Sequence, residues 1–115
     1  MFHKIIIVGR LGADPEQKYT ADGKAVTSFS VAAENRKDET LWFRVSAWEK
    51  LAEVCGRYLK KGAKVLVEGT LKADENGSPR VFGRKDGTSG ASFEVVASSV
   101  KFLSGKDEPA DEVPF

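Results

Sequence analysis

Two adjacent segments place the strongest constraint on how this chain folds: residues 41–48 have the apolar spacing of a strand, and residues 50–61 have that of a helix. In the first run, apolar and polar-face residues alternate, with Leu41, Phe43, Val45 and Ala47 on one side and Trp42, Arg44, Ser46 and Trp48 on the other. This alternation predicts a strand with one face in a core. The second run, Lys50–Lys61, repeats apolar residues at helical spacing: Leu51, Val54, Cys55, Tyr58 and Leu59. It predicts an amphipathic helix that ends at Gly62.

The outer face of the predicted strand holds both tryptophans of the protein, Trp42 and Trp48, on either side of Arg44. Flat aromatic faces next to positive charge are suited to stacking nucleobases and neutralising phosphates. The alternative is that the two indoles pack under a loop or in a contact between subunits. The strand by itself leaves both interpretations open.

The remaining alternating runs predict four more strands. Phe2–Leu11 and Ala25–Glu34 precede the Trp-bearing strand, and Gly12–Pro15 and the pair Asp22-Gly23 supply turns between them. The inward residues of the second strand are expected to be Thr27, Phe29, Val31 and Ala33. After the helix come strands Lys64–Lys72 and Ala91–Leu103, with predicted inward residues Val65, Val67, Leu71, Ala91, Phe93, Val95 and Ala97.

Three strands, a helix and two strands are the element order of an OB-fold. This all-β fold is a five-stranded Greek-key barrel with one helix between strands 3 and 4, and it binds oligonucleotides or oligosaccharides across one face. Fold alone does not fix function, so the side chains must decide between ligands.

A basic segment between the last two predicted strands adds to the aromatic face. Turn signals at Asn76-Gly77 and Asp86-Gly87 bracket it and predict a protruding β-ribbon. Base stacking on aromatic side chains selects single strands, because the bases of a duplex are already stacked on each other. The candidate nucleic-acid-binding residues are Trp42, Arg44, Trp48, Lys72, Arg80, Phe82, Arg84 and Lys85.

Charge is distributed unevenly along the chain. The net charge of +1 divides into +4 on residues 1–103 and −3 on residues 104–115, which contain one lysine and four acids. The last twelve residues lack hydrophobic periodicity. We therefore expect a nucleic-acid-binding domain over residues 1–103 and a disordered acidic tail over residues 104–115.

The sequence lacks the residues that several classes of enzyme and metal-binding protein need. The single histidine, His3, and the single cysteine, Cys55, do not make a credible nucleophile pair or zinc site, and no phosphate-binding loop motif occurs. The prediction is a protein that is not an enzyme and has no cofactor or metal. The longest N-terminal apolar run, Ile5–Val8, is too short for a signal peptide or membrane span, and one cysteine is compatible with a reducing compartment.

Taken together, ordered sequence motifs resemble the bacterial single-stranded DNA-binding proteins. They include the segments 7–12, 14–16, 26–32, 42–45, 50–54, 58–62 and 67–69. The resemblance implies that Trp42, Trp48 and Phe82 stack bases and that the chain acts as a homotetramer in the bacterial cytoplasm, associated with the nucleoid. It also implies that replication, recombination and repair proteins dock on the acidic tip Asp111, Glu112, Val113, Pro114 and Phe115.

Two departures from the family pattern bear on these expectations. Only about seven residues, Ser104–Ala110, separate the barrel from the tip, where members usually have a long linker. Phe43 occupies a position where histidine is frequent, which affects an expected subunit contact. A related primosome accessory, acting chiefly as a protein adaptor, is the second hypothesis. An enzyme built on the barrel is the third, and the missing catalytic groups count against it.

Overall fold

Alternating apolar runs form the strands of this protein, and the single helical run forms its helix. The computed structural model describes residues 1–103. Within that range the elements are β1 (Ile5–Leu11), β2 (Glu16–Tyr19), β3 (Ala25–Arg36), β4 (Glu39–Trp48), α1 (Glu49–Tyr58), β5 (Lys64–Leu71), β6 (Val81–Gly83), β7 (Ser89–Ala91) and β8 (Phe93–Phe102).

Five of the strands close into a barrel. Their hydrogen-bonded order is β1-β5-β8-β4-β3, and β1 returns to β3 through the pairs Arg10–Ala32 and Leu11–Val31. Strands β4 and β8 pair in parallel, whereas the other barrel pairs are antiparallel. The helix α1 joins the third barrel strand, β4, to the fourth, β5. The predicted OB-fold barrel is therefore confirmed.

The barrel is filled by the inward side chains that the alternation predicts, and α1 covers one end of it. Ala52 and Cys55 of the helix are fully buried, and both lie at the end where β4 finishes. The hydroxyl of buried Thr27 donates a 2.6 Å hydrogen bond to the carbonyl of Ala52. This bond fixes the helix on the barrel. The buried core cluster is Ile7, Leu11, Phe29, Val31, Phe43, Val45, Ala47, Cys55, Leu59, Val65, Val67, Val95 and Ala97.

The helix is shorter than its sequence pattern predicts. It ends at Tyr58, and Leu59 is already extended, with φ −85° and ψ 149°. Gly62 has φ +88° in the turn that follows, where its N–H donates to the carbonyl of Leu11 at 2.9 Å. Tyr58 was expected on the buried stripe but is 59% exposed, because it lies in the last turn, where its ring is 6.3 Å from that of the partly exposed Phe102.

The barrel end opposite α1 is open, and this changes the environment of two predicted core residues. Leu71 and Phe93 were expected to be buried, and instead they are 51% and 52% exposed. Both lie opposite inward residues, Val95 and Phe43, but at the uncovered mouth. Ala91 is exposed because it belongs to β7, a separate ribbon strand. Residues 91–103 thus form parts of two strands instead of one.

One short strand was not anticipated. Strand β2 pairs with the start of β3, and the hairpin between them turns at Asp22-Gly23, with φ +86° at the glycine. That hairpin confirms the turn prediction. Four exposed residues without apolar alternation give β2 no signal of its own.

The predicted tail and its tip, residues 104–115, lie outside the described residues. The proposed domain boundary near residue 103 therefore stays a prediction. No helix in residues 1–103 has the length and apolar character needed to cross a membrane.

Candidate nucleic-acid interface

The outward face of β4 presents the three residues that the sequence singled out there. Trp42 is 53% exposed, Trp48 is 40% exposed, and Arg44 between them is exposed. At about 3.3 Å of rise per strand residue, the two tryptophans are roughly 20 Å apart along β4. Strand β4 therefore carries two separated aromatic rings with a cation in between.

Small side chains on the neighbouring strand leave these rings accessible. Across the β3–β4 ladder, Trp42 is opposite Ala32 and Arg44 is opposite Ser30. Ser46 and Trp48 are opposite Ser28 and Val26. No bulky β3 side chain in this row covers an indole, so an extended chain can lie along the β3–β4 face and reach both tryptophans.

Trp42 rests against a glycine of the first strand–turn junction. A Cβ placed on Gly12 would lie 2.5 Å from Cζ3 and 2.8 Å from Cη2 of the Trp42 indole. The N–H of Gly12 donates to the carbonyl of Ser30 at 3.1 Å, which fixes the glycine beside the β3–β4 face. The missing side chain at residue 12 therefore provides the space in which the indole sits.

Trp48 lies where β4 passes into α1. The next residue, Glu49, has φ +56°, a left-handed backbone conformation that is uncommon for a residue with a side chain. The chain thus turns sharply directly after Trp48, and the indole stands at the end of the face beside the helix.

The predicted β-ribbon is present and holds the basic segment. Strands β6 and β7 pair with each other in a two-stranded sheet separate from the barrel. Its tip turns at Asp86-Gly87, where the amide of Gly87 donates to the carbonyl of Arg84. The other turn signal, Asn76-Gly77, forms a turn closed by Asp74 and Ser78.

Arg84 lies over the ring of Phe82 in the ribbon. Its guanidinium carbon is 5.6 Å from the ring centroid, and Nη1 donates to the carbonyl of Ser89 at 2.6 Å. These contacts hold the half-buried Phe82 and the cation as one unit. Lys85 is exposed at the ribbon tip.

An acidic residue links the ribbon to the β4 face. Glu94 is the register partner of Arg44 across the β4–β8 ladder, and its carboxylate is 3.9 Å from the guanidinium of Arg80. The carbonyl of Glu94 also accepts the N–H of Lys72 at 2.8 Å, which places Lys72 at the root of the ribbon. Glu94 thus connects the ribbon's Arg80, through its carboxylate, to the strand pairing that carries Arg44.

A second carboxylate lies near the same face. The pKa of Glu16 is lowered, chiefly by its hydrogen bond to Lys18 at 3.0 Å, with a smaller contribution from the charge of Arg44. Neither Glu16 nor Glu94 is among the residues that the sequence pattern selects; Glu16 lies next to a predicted turn, where an acid is most simply a solvated loop charge.

The structure also adds an aromatic residue to the surface. A groove of about 430 Å³ is lined by Ser30, Thr40, Leu41, Trp42, Phe43, Arg44, Ala91, Ser92 and Phe93. Phe93 had been placed in the core by its alternation. Its position in the strand could have indicated this exposure, since the first inward residue of a barrel strand lies at the mouth of the barrel.

The two residues considered for nucleophilic or metal chemistry have other roles. Nε2 of His3 accepts the N–H of Leu71 at 2.8 Å. Cys55 is fully buried, and burial raises the pKa of its thiol to about 11. Within residues 1–103, no three histidine, cysteine or acidic side chains are grouped as metal ligands would be.

Comparison with known proteins identifies the family. A model of the single-strand binding protein family matches residues 2–103. A single-stranded DNA-binding protein of Neisseria meningitidis serogroup B is 36% identical, over 98% of this chain and 66% of the relative. A Xanthomonas campestris pv. campestris protein of the same name is 38% identical, over 92% of this chain and 63% of the relative.

A third relative, single-stranded DNA-binding protein 1 of Chlorobaculum tepidum, is 35% identical over 91% of this chain and 67% of its own length. This chain spans about two thirds of the length of these curated relatives. The family match covers the whole barrel and the ribbon. This chain belongs to the single-strand binding protein family.

Proposed function

We propose that this protein binds single-stranded DNA without sequence preference, by stacking bases on aromatic side chains and neutralising phosphates with arginine and lysine. The observation that carries the proposal is the exposed row of Trp42, Arg44 and Trp48 beside the small side chains of β3. A strand face of this kind stacks any base, because each base has an aromatic face. Membership of the family supports the same ligand.

The ribbon extends this binding surface. Phe82 offers a third aromatic ring, and Arg84 is held on it by the cation–π contact and the bond to Ser89. Arg80, Lys72 and Lys85 add positive charge along the path from β4 to the ribbon tip. The proposed DNA path therefore runs from Trp48 along β4 to the ribbon.

Intrinsic tryptophan fluorescence during titration with poly(dT) tests the proposal, with a matched duplex as control. Strong quenching by poly(dT) alone is expected, because both indoles contact bases. Trp42→Ala and Trp48→Ala should each weaken binding by about 1–3 kcal/mol. Tyr58→Ala, which removes an exposed aromatic ring near the helix end, is the matched control and should bind normally.

Salt dependence tests the phosphate contacts separately. Each phosphate contact on a single strand contributes a slope of about −0.7 in log K against log salt. Arg44→Gln should therefore make the slope shallower by about that amount. A folded protein that quenches with neither DNA form would contradict the proposal and favour the adaptor hypothesis.

The proposal also includes self-association as a homotetramer in the bacterial cytoplasm. What supports a subunit contact is β1 and the residues before it: Phe2 is 88% exposed and Ile6 is 51% exposed. In the described part of the chain, residues 5–9 of β1 pair only with β5, so their other edge is available. Sedimentation at micromolar concentration should give four chains per particle, and a monomer would contradict this element of the proposal.

For the C-terminal tip, Asp111–Phe115, we propose a role in docking replication and repair proteins. Deleting these five residues should leave DNA affinity unchanged or slightly raised, because acidic side chains are removed. Partner recruitment should be lost in pull-downs with DNA-loaded protein. A deletion that abolished DNA binding would refute this division between the barrel and the tip.

A further inference from the structure

Phe93 packs on the core with one side of its ring and exposes the other side, unlike a residue that is buried in the core. On one side its ring contacts Phe43, with centroids 5.6 Å apart and planes tilted by 39°. Phe43 is 8% exposed and belongs to the core, whereas Phe93 is 52% exposed. The ring of Phe93 is therefore anchored on its inner side and accessible on its outer side.

The groove beside Phe93 is continuous with the face proposed to bind DNA. Trp42 and Arg44 line it from β4, and Phe93 lines it from the start of β8. Its volume of about 430 Å³ lies in the range of small-ligand sites. Aromatic side chains thus stand on both walls, with a cation between them.

The backbone at the groove is also able to bind. Strand β8 pairs with β4 only from Phe43 to Ser46. Among residues 1–103, Thr40–Trp42 therefore have no ladder partner on the β8 side, although β3 pairs with them on the other. N–H and C=O groups at such a strand edge can donate to and accept from the edge of any base.

We propose that Phe93 is a fourth base-stacking residue, and that the groove between Trp42 and Phe93 holds one nucleotide of the bound single strand. Arg44 contacts the adjacent phosphate, and the free edge of β4 bonds the base without selecting its identity. The inference rests on the proposed single-stranded DNA binding and deepens it. If the inference holds, the bound strand leaves β4 at Trp42 and passes Phe93 before it reaches Phe82 on the ribbon.

A second copy of this chain is the other occupant that an exposed phenylalanine would fit. The polar lining disfavours it: Arg44, Ser30, Ser92 and Thr40 all face the groove. Burying these groups and the free strand edge under an apolar surface would leave them without partners, at a cost in free energy. A phosphate-bearing ligand satisfies them.

Affinity measurements with a fluorescent dT oligonucleotide test the inference. Phe93→Ala should weaken binding of the full chain by 5-fold or more. Phe93→Leu should weaken it similarly, although leucine retains apolar packing on Phe43, and thermal melts identify any loss of fold. Tyr58→Ala, with an equally exposed ring far from the groove, is the matched control and should bind as the wild type does.

A probe at the position itself gives an independent readout. In the triple variant W42F/W48F/F93W the only indole is at residue 93, and poly(dT) should quench its emission. The inference would be overturned if the wild type binds DNA normally, Phe93→Leu binds with unchanged affinity, and the indole at residue 93 is not quenched. The proposed function would still stand. A change in sedimentation without a change in affinity would also overturn the inference, in favour of a subunit contact. If the wild type does not bind poly(dT), both the inference and the proposed function are refuted.

Discussion

The position of Trp42 depends on the missing side chain of Gly12, and this dependence can be tested by adding one methyl group. In Gly12→Ala the new Cβ would be 2.5 Å from the indole, whereas ordinary contacts begin near 3.4 Å. The far edge of the ring must therefore move by about 1 Å, and an off-rotamer indole costs about 0.5–1.5 kcal/mol. We expect a small loss of stability and a larger effect on DNA binding.

The expected binding loss is bounded by that of removing the ring altogether. Trp42→Ala should cost about 1–3 kcal/mol, and Gly12→Ala should cost a substantial part of this because a displaced ring stacks poorly. The assay is poly(dT) titration in a Trp48→Phe background, so that emission reports Trp42 alone. Gly83→Ala is the matched control for stability, since a Cβ at residue 83 meets no atom within 4 Å.

A double-mutant cycle makes the test decisive. If Gly12 acts through Trp42, Gly12→Ala should have no further effect on DNA affinity once Trp42 is alanine. Equal effects of Gly12→Ala in both backgrounds would refute the reasoning. Unchanged Trp42 emission and unchanged affinity in a folded Gly12→Ala protein would refute it as well.

Three further predictions concern the charge at the site and the helix on the barrel. Glu94→Gln should tighten poly(dT) binding, most at low salt, because the carboxylate beside Arg80, on the residue in register with Arg44, repels phosphate; weaker binding would show that Glu94 is needed to position Arg80. Thr27→Val should lower the free energy of unfolding by about 1 kcal/mol in urea titrations, because the helix carbonyl loses its hydroxyl donor; an unchanged midpoint would contradict this. Cys55 should resist iodoacetamide in the folded protein at pH 8 and react on unfolding, because burial raises its pKa to about 11 from 9.0. As the pH rises, the thiol of the unfolded protein ionises before that of the folded protein. The contribution of Cys55 to the free energy of unfolding is therefore full below about pH 9 and is lost as the pH rises toward 11, and thermal melts across that range would detect the loss.

Local patterns in the sequence predict the parts of this fold that depend on neighbouring residues along the chain. The period-two run at Leu41–Trp48 predicts a strand and the side to which each tryptophan points. Asp22-Gly23 and Asp86-Gly87 predict the two hairpin turns, which need φ > 0 at glycine, and both have it. These features require no knowledge of distant residues.

Other features depend on where an element lies in the closed barrel. Phe93 continues the alternation of Val95 and Ala97, but nothing in that pattern shows that it lies at an uncovered mouth. Leu71 is exposed for the same reason. Burial at a barrel end depends on which element covers it, and α1 covers only the other end.

Side-chain pairing across strands was likewise not predictable from the pattern. The basic residues of the ribbon were expected as free cations for phosphate. Arg84 instead donates to the carbonyl of Ser89 on the other side of the ribbon, and Arg80 is near Glu94. These contacts join residues from different strands or turns, and only the folded arrangement brings them together.

The ribbon's self-contained pairing has a consequence for how such a protein diversifies. Since β6 and β7 bond to each other in a sheet of their own, the barrel ladders do not include their tip. Insertions or deletions between them can therefore change the length of the ribbon while the barrel keeps its register. The same independence makes the tip at Asp86-Gly87 a place to graft a peptide tag or reporter dye that reads out occupancy.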